Sequence, residues 1–189
     1  GEQRWVSKRR YSVMRPYLSI DGRRGWDMMC RTAAIQVNLD YGSEADLAAK
    51  FVVGNRLGPI VAAMFANSPF EAGELSGFKS RRIAAWIDTD SDRSGVSPSA
   101  IREFSVDGFV DYALAVPMIF VRRDGQYVDV AGTPFSQFLA EGAAGESARF
   151  GDYTDHLTTL FTEARLKQHV EMRSADAGGL SDLLACEAF

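Results

Sequence analysis

The chain has 189 residues, of which 46% are hydrophobic and 24% are charged, an ordinary composition for a globular protein with one core. Its net charge of −4 excludes the basic surface typical of nucleic-acid-binding proteins, so no nucleic-acid partner is expected. No apolar run reaches the roughly 18–20 residues that span a bilayer, so no membrane partner is expected. The two cysteines lie outside metal-binding spacings and no signal-peptide pattern is recognised, so we expect free thiols and a cytoplasmic protein.

Two helices are predicted for the first third of the chain. Residues 8–18 favour a short helix that kinks or ends just before Pro16, because proline lacks the amide hydrogen that a helix interior requires. A cation-rich turn at 21–25 follows. Ser43 and the acidic residues after it are typical of a capped helix start, and the helical pattern continues to residue 66, kinked or restarted by a Gly-Pro pair.

Residues 26–40 read as a strand whose far end alternates apolar and polar side chains. The apolar set is Ile35, Val37 and Leu39, and the polar set is Gln36, Asn38 and Asp40. Because successive side chains point to opposite faces of a strand, the polar set shares one face. Such a face can line a site within a sheet and offer oxygen atoms to hard cations.

The middle of the chain is predicted to hold a loop, a segment ambiguous between helix and strand, and a surface loop without apolar residues, at 71–78, 81–86 and 88–95. Asp124-Gly125 favours a two-residue turn between apolar strands, so a hairpin is predicted there. The remaining predictions are an amphipathic helix at 106–114, the hairpin at 118–130, a helix at 133–139 capped by Thr133, a loop at 141–151 and a helix at 153–161.

Residues 165–173 are the most informative segment, since they alternate as a strand with one charged face. That face holds Arg165, Lys167, His169, Glu171 and Arg173. It suits a metal–polyphosphate complex, because the carboxylate can hold the metal and the cations can hold phosphate oxygens. The alternative is an exposed strand with a solvated charged face. Residues 180–189 predict an amphipathic helix, and the whole order fits one α+β unit with an antiparallel sheet and flanking helices.

Several short blocks, in one order from about residue 10 to the end, resemble the glutamate–cysteine ligases of the plant and proteobacterial type. The blocks in the first half are Met14-Arg15-Pro16-Tyr17, Asp27-Met-Met-Cys-Arg-Thr32, Gln36-Val-Asn-Leu-Asp40, Ser43-Glu-Ala-Asp46, Phe65-Ala-Asn-Ser-Pro-Phe70 and Trp86-Ile-Asp-Thr-Asp90. Those in the second half are Val110-Asp-Tyr-Ala-Leu114, His156-Leu-Thr-Thr159, Arg165-Leu-Lys167 and Glu171-Met-Arg-Ser-Ala-Asp176.

The resemblance implies part of a glutamine synthetase-like catalytic fold, with residues 1–189 as a single partial catalytic domain that lacks the family's N-terminal strands and C-terminal helices. The implied reaction joins the γ-carboxylate of L-glutamate to the amine of L-cysteine through a γ-glutamyl phosphate, the first step of glutathione biosynthesis. It uses ATP and Mg²⁺. The missing remainder of the domain is then a partner of this chain, and the 189 residues alone are expected to be inactive, because several metal ligands lie in that remainder.

The resemblance also implies roles for individual residues. The expected magnesium ligands are Gln36 and Glu171. The expected ATP-binding residues are Arg165, Lys167 and Arg173. The expected catalytic residues are Arg82 and Arg173, and the expected substrate-binding residues are Arg15, Arg31, Asn38, Arg82 and Tyr112. The alternatives are an ion pair of Glu171 with Arg173 or Lys167, a buried polar pair for Gln36 and Asn38, a core position for Tyr112, and a register shifted from Arg82 to Arg81.

Two other functions stay open. Departures from the family pattern, among them Ile87 in place of threonine and Ser174 in place of glycine, leave the acceptor amine undecided. The first alternative is therefore a related γ-glutamyl ligase that uses another amine. The second is a non-catalytic domain that binds glutamate or nucleotide. His156 and His169 are expected to be structural, since no serine or cysteine that would complete a nucleophilic triad lies near them in sequence.

Overall fold

The structure, a computed structural model, describes residues 9–21, 24–96 and 103–189, with the backbone alone for residues 20 and 21. The helices in this part of the chain are α1 (Arg9–Asp21), α2 (Gly25–Cys30), α3 (Glu44–Met64), α4 (Arg81–Ile87), α5 (Val106–Ala115), α6 (Phe135–Glu141), α7 (Phe150–Leu157) and α8 (Leu180–Ala188). The strands are β1 (Val37–Leu39), β2 (Phe70–Glu71), β3 (Glu74–Leu75), β4 (Ser94–Gly95), β5 (Phe120–Arg123), β6 (Gln126–Asp129), β7 (Phe161–Thr162), β8 (Ala164–Leu166) and β9 (Val170–Met172).

The strands form four small sheets between the helices. The largest has three antiparallel strands in the order β1-β9-β8. Two hairpins, β2-β3 and β5-β6, are also antiparallel, and β4 pairs with β7 in parallel. This mixed arrangement of helices and small antiparallel sheets confirms the coarse α+β prediction.

The charged segment 165–173 is a hairpin, so the prediction of a single strand is wrong. Strands β8 and β9 pair with Arg165 opposite Glu171, and the amide of Lys167 donates to the carbonyl oxygen of His169 at 2.9 Å across the turn. Residues directly opposite each other in an antiparallel pair lie on the same face. The hairpin therefore keeps the predicted charged face and makes it more compact.

The predicted strand at 26–40 is also wrong for most of its length. Its first residues form helix α2, and only 37–39 are strand. Helix α2 packs against α1, where Met28 joins Met14 and Leu18 in a buried cluster. A Cβ atom at Gly25 would overlap the backbone of Leu18, so glycine permits this close approach. Tertiary packing thus overrides the local strand pattern.

Two prolines lie inside helices where the sequence favoured a break. Helix α1 continues through Pro16 to residue 21, so the predicted end is wrong, and α3 runs through Pro59 as one helix. Both prolines are exposed, so the helical hydrogen bonds that they distort lie on the solvent side of each helix. The predicted cap is confirmed, since Ser43 Oγ accepts a hydrogen bond from the amide of Asp46 at 3.1 Å.

Residues 88–95 are not a surface loop. Thr89, Asp90 and Arg93 are buried, and Arg93 has no exposed surface. Its guanidinium pairs with Asp90 at 2.5 Å and donates to the hydroxyl of Tyr17 at 2.9 Å and to the carbonyl of Pro117 at 2.6 Å. The absence of apolar residues here reflects a satisfied polar network inside the protein rather than exposure.

Other predictions hold in part. The hairpin turn is confirmed, with φ of 49° at Asp124 and 75° at Gly125. The amphipathic helix α5, the C-terminal helix α8 and the helical choice for α4 agree with the structure. Four predictions need correction. The predicted loop at 71–78 contains part of the β2-β3 hairpin, and Pro134 rather than Thr133 precedes α6. Helix α7 begins at Phe150, within the predicted loop, and Phe161 belongs to β7 rather than to that helix. Two residues of the predicted turn at 21–25, Gly22 and Arg23, lie outside the described residues.

Three buried apolar clusters hold these elements. The first joins α3 and α5 to the three-stranded sheet, with Phe51 and Phe109 in edge-to-face contact. The second joins α1 and α2 to the start of β5, and the third joins the β5-β6 hairpin to α6. A Cβ atom at Gly54 of α3 would overlap the side chain of Met172, so this helix lies directly against β9.

Helix α3 is, by length and composition, the one helix among the described residues that could cross a membrane. From the sequence alone, no apolar run long enough to span a bilayer was expected. Core helices meet the same criterion, and α3 packs through Leu47 and Phe51 onto the sheet. A single helix of this kind is therefore weak evidence for a membrane span.

His156 gives the fold a defined pH dependence. It is 2% exposed, and its Nε2 donates to the carbonyl of Ala113 at 2.8 Å. Burial lowers its pKa to about 4, so between that value and 6.5 the unfolded chain binds more protons than the folded chain. Stability should therefore fall as pH falls through this window, by about 2–3 kcal/mol at pH ~4.5. Urea unfolding at neutral pH and near pH ~4.5 should show that His156→Gln lacks this component; an equal loss in both proteins would contradict it.

Candidate functional site

One face of the three-stranded sheet gathers the polar residues of three strands. Glu171 in the central strand lies opposite Asn38 of β1 on one side and Arg165 of β8 on the other. The alternate residues, among them Val37 and Met172, line an apolar groove on the opposite face, next to α3. The period-two alternation of both sequence segments thus produces one polar face and one apolar face.

Glu171 is a buried carboxylate surrounded by three cations. Its Oε2 lies 2.6 Å from Arg165 Nη2 and 3.4 Å from Arg173 Nε, and its Oε1 accepts a hydrogen bond from Lys167 Nζ at 2.6 Å. Glu171 is 4% exposed and Arg173 is 8% exposed. Three positive charges against one negative charge leave a net positive site, in which Glu171 and Arg173 are buried and the Lys167 side chain is exposed.

The pKa values of the site follow from this excess. Burial by itself would raise the pKa of Glu171, but the Lys167 hydrogen bond and the three cations hold it below its ordinary value. Burial, with a smaller contribution from Arg165, lowers the pKa of Arg173 to about 10. Arg173 therefore stays charged at neutral pH, in an environment that disfavours its charge.

Several buried polar atoms of these residues have no hydrogen-bond partner. They are Arg165 Nε, Arg173 Nε and Nη1, and Glu171 Oε2, which has ion-pair contacts without hydrogen-bond geometry. Buried polar groups in native proteins are nearly always satisfied, so orphaned donors at a cleft indicate a ligand that accepts hydrogen bonds. Guanidinium donors match carboxylate and phosphate oxygens.

A cleft of about 650 Å³ opens beside these cations. Four of its lining residues are cationic: Arg10, Arg165, Lys167 and Arg173. None of the described residues that line it carries a carboxylate, and its apolar part is formed by side chains that include Met14, Met28, Met29, Trp86 and Phe161. A cleft lined by cations and by sulfur and aromatic groups suits an anionic ligand that also has apolar surface.

Arg10 is a cleft residue that the sequence analysis missed. It donates to the carbonyl of Thr158 at 3.1 Å and lies over the ring of Phe120, and burial lowers its pKa. The signal was its helical spacing, since Arg10 lies four residues before Met14 and eight before Leu18, both buried. A cation on the buried face of an amphipathic helix needs an anion or a polar partner.

The two predicted amides lie at the edge of this site. Asn38 is exposed and sits opposite Glu171 on the polar face. Gln36 precedes β1 by one residue, is exposed, and lies between Ile35 and Val37, which both line the apolar groove. Its side chain therefore belongs to the polar side of the sheet, where it can approach a ligand without burial.

Arg82 lies behind the cation cluster. It is 4% exposed, and its guanidinium donates to the carbonyls of Arg173 at 2.6 Å and Ser174 at 3.2 Å. These bonds hold the backbone at the end of β9 and so fix the start of the Arg173 side chain. Two guanidinium nitrogens of Arg82 are therefore already bonded to the protein's own backbone.

Three predicted substrate residues lie away from the cation cleft. Arg31 pairs with Asp27 at 3.1 Å and lines a second cleft of about 360 Å³ with Arg81 and Arg82. The exposed Arg15 lies over the ring of Trp26 at 4.4 Å.

Tyr112 packs against the first apolar cluster, and its hydroxyl donates to the carbonyl of Asp92 at 3.1 Å. Burial raises its pKa to about 12. This arrangement is the core position that the sequence analysis kept as the alternative.

The residues fit a magnesium–nucleotide complex better than a bare metal ion. No group of three or more His, Cys, Asp or Glu side chains that could hold a metal occurs within residues 9–21, 24–96 and 103–189. Magnesium in phosphate-transfer sites commonly uses one or two carboxylates together with substrate phosphates and water. Glu171 Oε2, buried and without a hydrogen bond, can supply one such oxygen once phosphate neutralises the surrounding cations.

Comparison with known proteins identifies the family of the chain. Residues 2–188 match the family model of glutamate–cysteine ligase family 2. The chain is 49% identical to the chloroplastic glutamate–cysteine ligase of Brassica juncea and 48% identical to that of Arabidopsis thaliana. It is 46% identical to the chloroplastic glutamate–cysteine ligase A of Oryza sativa subsp. indica.

Each similarity covers 97% of this chain but 36–38% of the relative, so the chain spans little more than a third of the length of these relatives. Their chloroplast location contradicts the expectation of a cytoplasmic protein, which is therefore wrong; composition carries no information about a plastid. With a family match over nearly its whole length, the chain belongs to glutamate–cysteine ligase family 2.

Proposed function

We propose that the protein containing this chain joins the γ-carboxylate of L-glutamate to the amine of L-cysteine at the expense of ATP. The observation that carries the proposal is the cleft lined by Arg10, Arg165, Lys167 and Arg173, the last three of which surround the carboxylate of Glu171. A polyphosphate supplies the missing negative charge and accepts the unpaired hydrogen bonds. The names of the relatives supply the two amino-acid substrates.

The first chemical step requires charge neutralisation more than covalent help from the protein. The γ-carboxylate oxygen attacks the γ-phosphorus of ATP, the bond to the bridging oxygen breaks, and ADP leaves with γ-glutamyl phosphate formed. Arg165, Lys167 and Arg173 stabilise the charge that spreads over the phosphate oxygens during this transfer. Mg²⁺, when bound, neutralises phosphate charge further, with Glu171 as one ligand and Gln36 as an expected second.

The second step uses the activated carbonyl. The amine of cysteine attacks the acyl carbon, the bond to phosphate breaks, and inorganic phosphate leaves as the nitrogen gives up one proton to solvent or to the departing phosphate and the amide forms. The cations that held the γ-phosphate then hold the leaving phosphate, so one cluster serves both steps. Asn38 lies at the open edge of this face, where we propose that it contacts a substrate.

We further propose that these residues are one part of a single catalytic domain with a glutamine synthetase-like fold. The small antiparallel sheet with a polar face toward a cleft and an apolar face toward α3 supports this proposal. So does the length of the relatives, which leaves room for further metal ligands outside these residues. In this proposal Arg15, Arg31 and Tyr112 bind substrate outside the cation cleft, together with other parts of the domain.

Steady-state ADP release tests the proposal directly. The full-length protein should release ADP when glutamate and cysteine are both present with Mg²⁺–ATP, and far less when cysteine is replaced by other amino acids. Turnover with another amine and none with cysteine would replace the acceptor but keep the ligase. Residues 1–189 on their own should show little or no turnover, because Glu171 alone offers too few oxygen ligands to position the metal and both substrates, and the described residues hold no group of three or more His, Cys, Asp or Glu side chains that could bind a metal. Substantial turnover from them would contradict that expectation.

A further inference from the structure

Trp86 lies at the cation cleft and has a donor without an acceptor. Its side chain lines the cleft, and its ring meets Phe161 edge to face at a centroid distance of 5.7 Å. The indole nitrogen Nε1 is buried and has no hydrogen-bond partner. A buried indole N–H in a native protein usually has an acceptor. Because Trp86 lines the cleft, a ligand bound there can supply that acceptor.

Two guanidinium groups flank the same ring. Arg173 Cζ lies 4.8 Å from the ring centre and Arg82 Cζ lies 5.6 Å from it. Arg82 is held by backbone carbonyls at the end of β9, whereas two nitrogens of Arg173, Nε and Nη1, have no hydrogen-bond partner. The ring therefore makes a cation–π contact with Arg173, and its N–H and two nitrogens of that arginine are all without a hydrogen-bond partner.

A neutral donor suits this position better than a further cation would. The site already holds Arg165, Lys167 and Arg173 around one carboxylate, and burial together with Arg165 opposes the charge of Arg173. An additional positive charge would increase that repulsion, whereas an indole N–H donates a hydrogen bond without adding charge. Trp86 can thus extend the binding surface for an anion at no electrostatic cost to its neighbours.

We propose that Trp86 is a ligand-binding residue of the cleft. Its indole N–H donates to the anionic oxygen that Arg173 binds, and its ring holds Arg173 in the orientation that makes this shared contact possible. The anionic oxygen belongs either to a carboxylate of the amino-acid substrate or to a phosphate of the nucleotide, since both offer the same acceptor chemistry. This inference rests on the proposed function, because it takes those two substrates as the ligands.

Nuclear magnetic resonance of the full-length protein labelled with ¹⁵N-tryptophan tests the contact in the wild type, with variants used only to assign the signal. The resonance assigned to Trp86 is the indole signal that Trp86→Phe or Trp86→Tyr removes. It should move on titration with L-glutamate alone if the acceptor is a carboxylate, or with ADP alone if it is a phosphate. A Trp86 signal that stays in place in both titrations would overturn the inference.

Calorimetric binding supplies the second measurement. Trp86→Phe keeps an aromatic ring and removes the N–H, so it should raise Kd about tenfold for whichever ligand moves the resonance. In steady-state kinetics the same variant should raise KM more than it lowers kcat. Tyr153→Phe is the matched control, since it removes a polar hydrogen from a half-buried ring that packs against Phe135 outside the cleft. Unchanged affinity in Trp86→Phe, in a protein that still ligates glutamate to cysteine, would defeat this inference alone. Absence of ligase turnover in the wild type would instead defeat the proposed function.

Discussion

Replacing Glu171 with glutamine in the full-length protein is expected to lower the ligase rate at least ~10²-fold. Glutamine has nearly the same shape, so the change removes one charge from a side chain that is 4% exposed and leaves its packing intact. The variant loses the anionic oxygen that can approach a magnesium ion, and it leaves three cations without their protein carboxylate. Steady-state ADP release at saturating glutamate and cysteine measures the loss.

Two roles of Glu171 give different Mg²⁺ and ATP dependences. If Glu171 holds a metal, the Glu171→Gln protein needs a higher Mg²⁺ concentration for half-maximal rate. If Glu171 only balances Arg165, Lys167 and Arg173, its removal leaves the Mg²⁺ dependence unchanged and tightens ATP binding, because the phosphates no longer compete with a carboxylate. The second pattern would contradict the metal role.

Glu146→Gln is the matched control for this experiment. Glu146 pairs with Arg123 at 2.7 Å, outside the cleft, and Arg123 keeps a second carboxylate, Asp152, at 2.6 Å. Removing the Glu146 charge should therefore cost some stability and leave the rate per folded molecule unchanged. A comparable rate loss in this control would mean that carboxylate removal acts through the fold rather than through the site.

Local signals were sufficient for much of the fold, since they depend on a few neighbouring residues. The serine cap at Ser43, the Asp124-Gly125 turn and the amphipathic helix α5 are all present. The charged face of 165–173 was also predicted, although its form was not. A hairpin centred on residue 168 pairs residues of equal parity, such as 165 with 171. The same side chains therefore share a face in a straight strand and in the hairpin, so alternation cannot distinguish the two.

The parts that could not be predicted depend on long-range contacts. Arg10 and Trp86 reach the cleft from α1 and α4, and nothing in their local sequence states which strand they will face. Arg93 lies in a segment without apolar residues, yet its buried position follows from partners as distant as Tyr17 and Pro117. Family resemblance pointed to the cations of the hairpin because they lie in two short blocks close together in sequence, Arg165-Leu-Lys167 and Glu171-Met-Arg-Ser-Ala-Asp176. It did not show which of the other predicted arginines lie beside them.

Arg173 is expected to combine a large contribution to activity with a cost to stability. It has two buried nitrogens without a hydrogen-bond partner, and it lines the cleft together with Arg10, Arg165 and Lys167. Arg173→Gln should therefore lower kcat/KM by about 10²–10³-fold, the effect of losing a positioned donor to a transferring group. Arg173→Lys should recover part of this, since it restores the charge without the planar fork.

The stability of the same variants separates a functional arginine from a structural one. The pKa of Arg173 in the folded protein is about 10, below the ordinary value for arginine, so at neutral pH the folded state carries a charge that its surroundings disfavour by up to about 3 kcal/mol. Arg173→Gln removes that cost, and its melting temperature should be unchanged or higher despite the loss of the contact with Trp86. Arg123→Gln is the contrasting control, because this buried arginine has two carboxylate partners and its removal leaves Asp152 unpaired, at a cost of about 3–5 kcal/mol.

A lower melting temperature for Arg173→Gln, similar to that of Arg123→Gln, would show that Arg173 is held by the protein rather than reserved for a ligand. Added ATP gives a further distinction. An anion that binds Arg173 relieves the excess positive charge, so ATP should raise the melting temperature of the wild type more than that of Arg173→Gln. Equal shifts in both proteins would place the nucleotide elsewhere, and with it the chemistry assigned to the β8-β9 hairpin.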